Sequence, residues 1–119
     1  MSPILIILKS VSGKGGSMKA TYLTAASIMV EANGIKILSD PWLSDGAFYG
    51  SWYHFPPFEE GSFDFTQVDY IYISHIHEDH LDPHTLSKID KSIPVLIHKF
   101  DTKFLKLNIE KLGFSVIEF

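Results

Sequence analysis

The apolar run from Asp69 to Ser74, which empties directly into His75-Ile76-His77-Glu78-Asp79-His80, limits what this chain can fold into more than any other feature. Tyr70-Ile71-Tyr72-Ile73 is dense in aromatic and β-branched side chains and reads as a strand. His75 and His77 are two residues apart. On a helix that spacing sends them to nearly opposite sides, whereas at the extended end of a strand they share a face. Asp79 and His80 follow where the chain turns toward a helix, and they add one oxygen and one nitrogen donor. Imidazole and carboxylate together suit zinc, iron or manganese. Four donors within six residues exceed what one tetrahedral ion takes while keeping an open position, so the cluster favours a two-metal site. A solvated loop gains nothing from three crowded histidines that repel one another once protonated.

The text around this motif is regular from Lys19 onward. Ala20 to Leu23 and Ser27 to Glu31 read as strands. Asn33-Gly34 is a strong hairpin signal because both turn positions must accept positive φ, and Ile35 to Ser39 is the partner strand, closed by Asp40-Pro41. Residues 41–66 form a long irregular stretch, broken by Gly and Pro yet rich in aromatics. It either lids its own core or walls a substrate pocket, with Trp42, Trp52 and His54 as candidate substrate-loop residues. Asp82-Pro83 has the form of an N-cap followed by Pro at the first helical position, predicting a short helix to about Lys91. Pro94 opens a buried strand, Val95 to Ile97. Asp101 is the expected cap of a second helix with apolar Phe104, Leu105, Ile109 and Leu112, ended by Gly113, and Val116 to Phe119 is a last strand. Strands alternating with helices argue for an α/β layered fold, and the hairpin strands make its sheet mixed.

Residues 1–17 look like an addition. A short apolar run, Ile4 to Leu8, precedes Ser10-Val11-Ser12-Gly13-Lys14-Gly15-Gly16-Ser17, which reads as a flexible linker, with Met18 as a plausible domain start. The Gly13-Lys14 pair does not make a phosphate loop, since Leu8 and Gly15 stand where a Gly and a Ser or Thr are required. Five apolar residues are too few for a signal core or a membrane span, so the sequence reads as soluble, with no membrane partner and a cytoplasmic setting.

Composition removes several function classes. All ten basic residues are Lys and the formal charge is −4, so guanidinium clamping is absent and nucleic acid is not an expected partner. With no Cys there is no disulfide, thiolate metal site, cysteine nucleophile or iron–sulfur centre within the chain.

The pattern His75-x-His77-x-Asp79-His80 after a hydrophobic strand resembles the metallo-β-lactamase superfamily of metal-dependent hydrolases. The likeness runs from Lys19 onward and includes Tyr22-Leu23-Thr24, the hairpin, Ser39-Asp40-Pro41-Trp42-Leu43 and Tyr72-Ile73-Ser74-His75. It implies that His75 and His77 hold one metal and Asp79 and His80 the other, zinc being the first choice of two divalent ions. It also implies that Asp79 is catalytic, orienting the attacking water, and that the nucleophile is a metal-bound hydroxide. Asp40 matches a strand-end acidic residue beside the metals, which holds a ligand His in orientation. The implied fold is the N-terminal half of an αββα sandwich over residues 18–119, a mixed sheet with helices on one face. In that superfamily a downstream His, a bridging Asp and a last His complete the site, and nothing after His80 fits those roles. The resemblance therefore points to a partial domain, completed by a second polypeptide or a homodimer, acting on a small-molecule substrate. Alternatively it is an inactive fragment that only binds metal.

A narrower likeness joins Asp40-Pro41-Trp42-Leu43, Ala47-Phe48, His54-Phe55-Pro56-Pro57 and Ile71-Tyr72-Ile73-Ser74-His75. It is similar to the metallo-β-lactamase-like domain of CMP-N-acetylneuraminate hydroxylases, which pair that domain with an N-terminal Rieske domain. It implies an oxygenase component that acts on a nucleotide sugar with a separate Rieske partner. One departure from the superfamily is Ala25, where a His often follows Tyr-Leu-Thr.

Overall fold

The computed structural model describes residues 4–9, 17–59 and 61–119. Residues 10–16, most of the expected linker, lie outside the described residues. The described residues build a seven-stranded sheet in which spatial order follows chain order. Its strands are β1 (Ile4–Lys9), β2 (Ser17–Thr24), β3 (Ser27–Ala32), β4 (Ile35–Ser39), β5 (Tyr70–Tyr72), β6 (Val95–Ile97) and β7 (Val116–Glu118). Helix α1 (Pro83–Leu86) links β5 to β6, and α2 (Phe104–Lys111) links β6 to β7. The first four strands pair antiparallel and the last four, from β4 on, pair parallel. The sheet is thus mixed, as the hairpin followed by strand–helix alternation predicts.

The turn chemistry works as the sequence implies. Asn33 and Gly34 both take positive φ, 51° and 78°, and join β3 to β4. The apolar run assigned to the N-terminal extension is itself a strand: Ile4 to Lys9 lies antiparallel to β2, with Ile4 opposite Tyr22 and Lys9 opposite Ser17.

Two helix boundaries differ from the sequence expectation. Helix α1 ends at Leu86 rather than near Lys91. Beyond it the amides of Lys88 and Ile89 reach back only three residues, to the carbonyls of Thr85 and Leu86, so the helix tightens into turns. Asp90 then accepts the Ser92 amide and closes a separate turn before Pro94. Asp82 does cap α1, accepting the amides of His84 and Thr85. Asp101 does not cap α2: the capping position is Lys103, with no side-chain cap bond, because Asp101 lies two residues too early.

One sheet face carries the core. Met29, Leu38, Ile71 and Val95 are cross-strand neighbours in one row, and Ile73 and Ile97 continue it, packing with Leu86 and Ile89 near α1 and with Leu105 and Ile109 of α2. Each such side chain contributes about 1.5–3 kcal/mol when fully buried. The opposite face holds the row Tyr22, Ile28, Tyr72, Leu96 and Ile117, half-buried or exposed. Both described helices of the core thus lie on one side. Among the described residues no helix is long and apolar enough to cross a membrane.

The loop after β4 is held by a buried hydroxyl. Ser27 is fully buried on β3, donates to the Asp40 carbonyl at 2.8 Å and accepts the Trp42 amide at 2.9 Å. Removing the hydroxyl leaves a carbonyl and an amide without partners in a place water cannot reach. Ser27→Ala is expected to destabilise the chain by about 1–3 kcal/mol, seen as a lower urea midpoint with an unchanged slope.

Candidate metal centre

The carboxyl ends of β4 and β5 meet where the motif begins. Asp40 leaves β4 in the left-handed region, φ 44°, which Asp tolerates better than most residues. Its amide still reaches the Tyr72 carbonyl at 2.8 Å, extending the parallel pairing by one step. The carboxylate then takes both polar hydrogens of Ser74: Oδ1 accepts the amide at 2.7 Å and Oδ2 accepts the hydroxyl at 2.8 Å. Asp40 is buried, so these bonds replace the water it has lost.

This bonding sets the protons on the histidines. A carboxylate can only accept, so Ser74 gives Asp40 its single hydroxyl hydrogen. The Ser74 oxygen lies 2.8 Å from His75 Nδ1 and is left only as an acceptor there. His75 therefore carries its proton on Nδ1, and Nε2 keeps a bare lone pair. Burial, and then the nearby His80 and His77, hold the His75 pKa below its ordinary 6.5, against the opposing pull of Asp40 and Asp79. Neutral imidazole is the form that binds metal.

His80 presents the same arrangement from the other side. Its Nδ1 lies 3.1 Å from Asp40 Oδ2, within ion-pair range but off the line of a good hydrogen bond, and is buried. A carboxylate there favours the proton on Nδ1. His80 Nε2 then faces Asp79 Oδ2 at 3.4 Å. Two acceptors face to face repel unless a proton or a cation sits near them. The rings of His75 and His77 are 4.7 Å apart and those of His75 and His80 4.0 Å apart. The structure thus collects all four expected donors at one place. Among the described residues, no three His, Asp or Glu side chains close into a cage around one point. The donor chemistry, the bare nitrogen of His75 and the facing acceptors of His80 and Asp79 suit a divalent cation.

The candidate substrate-loop residues separate. Trp42 and His54 are buried and stacked on each other, 3.8 Å between ring centroids, with His54 Nδ1 3.0 Å from Thr24 Oγ1. They form one wall of a pocket of about 280 Å³ with Tyr22, Tyr53, Phe55 and Phe58. Trp52 is 53% exposed and rests instead against Phe48, whose ring stands edge-on to His77. The start of the loop is buried at Trp42 and Leu43, while its middle presents Tyr49, Trp52, Tyr53 and Phe55 to solvent.

Below the loop lies a polar network that sequence reading did not find. Buried Asp82 accepts the hydroxyls of Ser44 and Thr85, each at 2.5 Å, and Thr85 Oγ1 accepts the Leu43 amide at 2.9 Å. Ser74 was also missed, since one Ser at a strand end carries no spacing signal. Glu78 could have been found by asking what the one acidic motif residue outside the donor set does. Its Oε2 accepts the Phe48 amide at 2.5 Å.

Known proteins resemble this chain in sequence and in fold. A family model described as a beta-lactamase superfamily domain matches residues 19–117. A Mycolicibacterium smegmatis protein named as a Rieske 2Fe-2S iron-sulfur protein is 36% identical over 99 residues, covering 82% of this chain and 19% of that protein. The cytidine monophosphate-N-acetylneuraminic acid hydroxylase of Danio rerio is 35% identical over 83 residues, covering 68% of this chain and 14% of the hydroxylase. The crystal structure of a protein described as a metal-dependent hydrolase of Veillonella parvula superposes with a TM-score of 0.59 at 19% identity, covering 98% of this chain and 41% of that one. That likeness carries the fold. The chain spans less than a fifth of these two curated relatives.

Burial is the main cause that lowers the His54 pKa from its ordinary 6.5, outweighing the Trp42 and Ser44 carbonyls and the charges of Asp45 and Asp82. Between that lowered value and 6.5 the unfolded chain binds more protons than the folded one, so stability rises with pH there. The contribution is complete above 6.5 and is lost as pH falls toward the lowered value. His54→Gln is expected to reduce the acid sensitivity by up to about 1.4 kcal/mol per pH unit, measured as the shift in urea midpoint between about pH 7.5 and about pH 5.

Proposed function

Because this chain belongs to the beta-lactamase superfamily, we propose that it is the metal-ligating part of a metal-dependent hydrolase acting on a small-molecule substrate. His75, His77, Asp79 and His80 are the protein ligands of two divalent ions in this reading, zinc ahead of iron or manganese. The observation that carries it is the Asp40–Ser74–His75 chain of hydrogen bonds, which leaves His75 Nε2 bare, with Asp40 also beside His80 Nδ1. Asp40 acts through the histidines, fixing their tautomer and direction. Asp79 lies beside His80 Nε2, where its carboxylate accepts a hydrogen bond from an approaching water and orients it. Divalent ions held there supply Lewis acidity and make water acidic enough to serve as a nucleophile near neutral pH. The remaining ligands come, in this reading, from a further segment or a second polypeptide that covers the sheet face opposite the helices.

The names of the relatives favour a second reading. The domain would belong to a nucleotide-sugar-hydroxylating system like that of the Danio rerio relative. The sequence has no Cys, so the Rieske cluster would be held elsewhere. Preference for iron over zinc in the purified chain, together with saturable binding of CMP-N-acetylneuraminate by calorimetry, favours this reading. Zinc binding without nucleotide binding favours the hydrolase.

Metal binding is the direct test of the ligand assignment. Titration with Co²⁺, followed by visible absorption, is expected to saturate with the intact chain and to fail with His77→Ala. Asp40→Asn is expected to weaken binding about 10–100-fold while the chain stays folded, because the ligand histidines lose the acceptor that orients them. Undiminished affinity in both variants would remove the proposed site.

A further inference from the structure

Glu78 stands inside the donor cluster, yet its carboxylate turns away from it. Oε2 accepts the backbone amide of Phe48 at 2.5 Å, across thirty residues of sequence. Phe48 begins a tight loop closed by its own backbone: Ala47 and Trp52 exchange both hydrogen bonds, at 2.8 and 3.1 Å, and the Ser51 amide reaches the Phe48 carbonyl at 3.1 Å. These bonds leave the Phe48 amide for Glu78. Phe48 and Tyr49 both lie in the left-handed region, φ 51° and 57°, which side chains with a Cβ avoid unless something outside the loop holds them there. With the loop held, the Phe48 ring stands 6.4 Å from that of His77 and 4.8 Å from that of Trp52.

We propose that Glu78 is a positioning residue that fastens the 47–52 loop to the donor cluster, so that Phe48 and Trp52 form an aromatic wall beside His77. The proposal rests on the hydrolase reading for the purpose of the wall, which limits approach to His77 to ligands with a flat or apolar group on that side. The bond itself is independent of that reading. An ionised carboxylate is a stronger acceptor for an amide than water or a neutral group. Its position between His77 and Asp79 makes any shift of the loop a shift beside two of the donors.

The test uses the whole 119-residue chain labelled with fluorotryptophan, whose two Trp give one fluorine resonance each, assigned with Trp52→Phe. Without metal, Glu78→Ala is expected to move the Trp52 resonance toward its unfolded position and sharpen it, while the Trp42 resonance stays in place. Glu78→Gln, whose amide oxygen still accepts, is expected to restore the wild-type spectrum in large part. With Co²⁺ added, the paramagnetic shift of Trp52 is expected to fall by about half or more in Glu78→Ala, at a Co²⁺ affinity within about threefold of wild type. An unchanged Trp52 resonance in Glu78→Ala overturns the proposal. So does loss of Co²⁺ binding as deep as that of His77→Ala, which would make Glu78 a ligand. If wild type takes up no Co²⁺, the hydrolase reading fails and the metal-free spectra still decide the role of Glu78. Should Glu78→Ala not fold, amide exchange in the wild-type chain decides: the Phe48 amide is expected to be protected about tenfold or more over that of Tyr49, and equal protection refutes the bond.

Discussion

The bonds between Asp40 and Ser74 are the joint on which the rest of the site depends. They tie the end of β4 to the end of β5, at the point where two parallel strands stop and two loops leave in different directions. Backbone pairing alone would hold the strands but not the side chains beyond them. The carboxylate does both. It ends the sheet by taking the Ser74 amide, and by taking the Ser74 hydroxyl it assigns the proton of His75. The left-handed backbone at Asp40 is the price of that placement, held from beneath by buried Ser27. Strain at a single residue, stabilised by bonds from three elements, fits a site that has to be set before any ligand arrives.

Much of this was legible in the sequence, and for identifiable reasons. The Asn33-Gly34 hairpin follows from local φ requirements, and the Asp82 cap from local hydrogen bonding, so each is written in two or three residues. The fold family was legible because His75, His77, Asp79 and His80 lie within six positions. The structure places them together, with Asp40 beside His80. Helix ends were less legible. The stretch after Leu86 has helical composition, but Asp90 and Pro94 draw the chain into turns that only the completed packing selects. Asp101 shows the opposite error: a good capping residue stands two residues ahead of the capping position it was expected to fill.

What the sequence concealed is long-range and polar. Ser27, Ser44, Ser74 and Thr85 are ordinary residues at unremarked positions, and each gains its importance from a partner that is distant in the chain or from a role passed on to a neighbour. A hydroxyl has no periodicity to betray it. The same holds for the irregular loop, where Trp42 and Trp52 look alike in one dimension. One is buried against His54, and the other lies open beside Phe48. Burial separates them, and it is decided by how the loop is fastened at Ser27, at the Asp82 network and at Glu78.

The strictly sequential strand order carries a consequence for how the chain is made. Every strand pairs with the one synthesised just before it, so no strand has to wait for a distant partner or thread between two already joined. The strands of the antiparallel half, β1 to β4, are all synthesised before β5, β6 and β7, each of which extends the edge left by the strand before it. Loop closure sets an entropic barrier to each pairing; the connections within the antiparallel half are short, while those before β5, β6 and β7 are long, the one from Ser39 to Tyr70 being the longest. That connection brings Ser74 to Asp40. The longest connection in the sheet is thus also the one that assembles the donors, and every residue of the antiparallel half is synthesised before them.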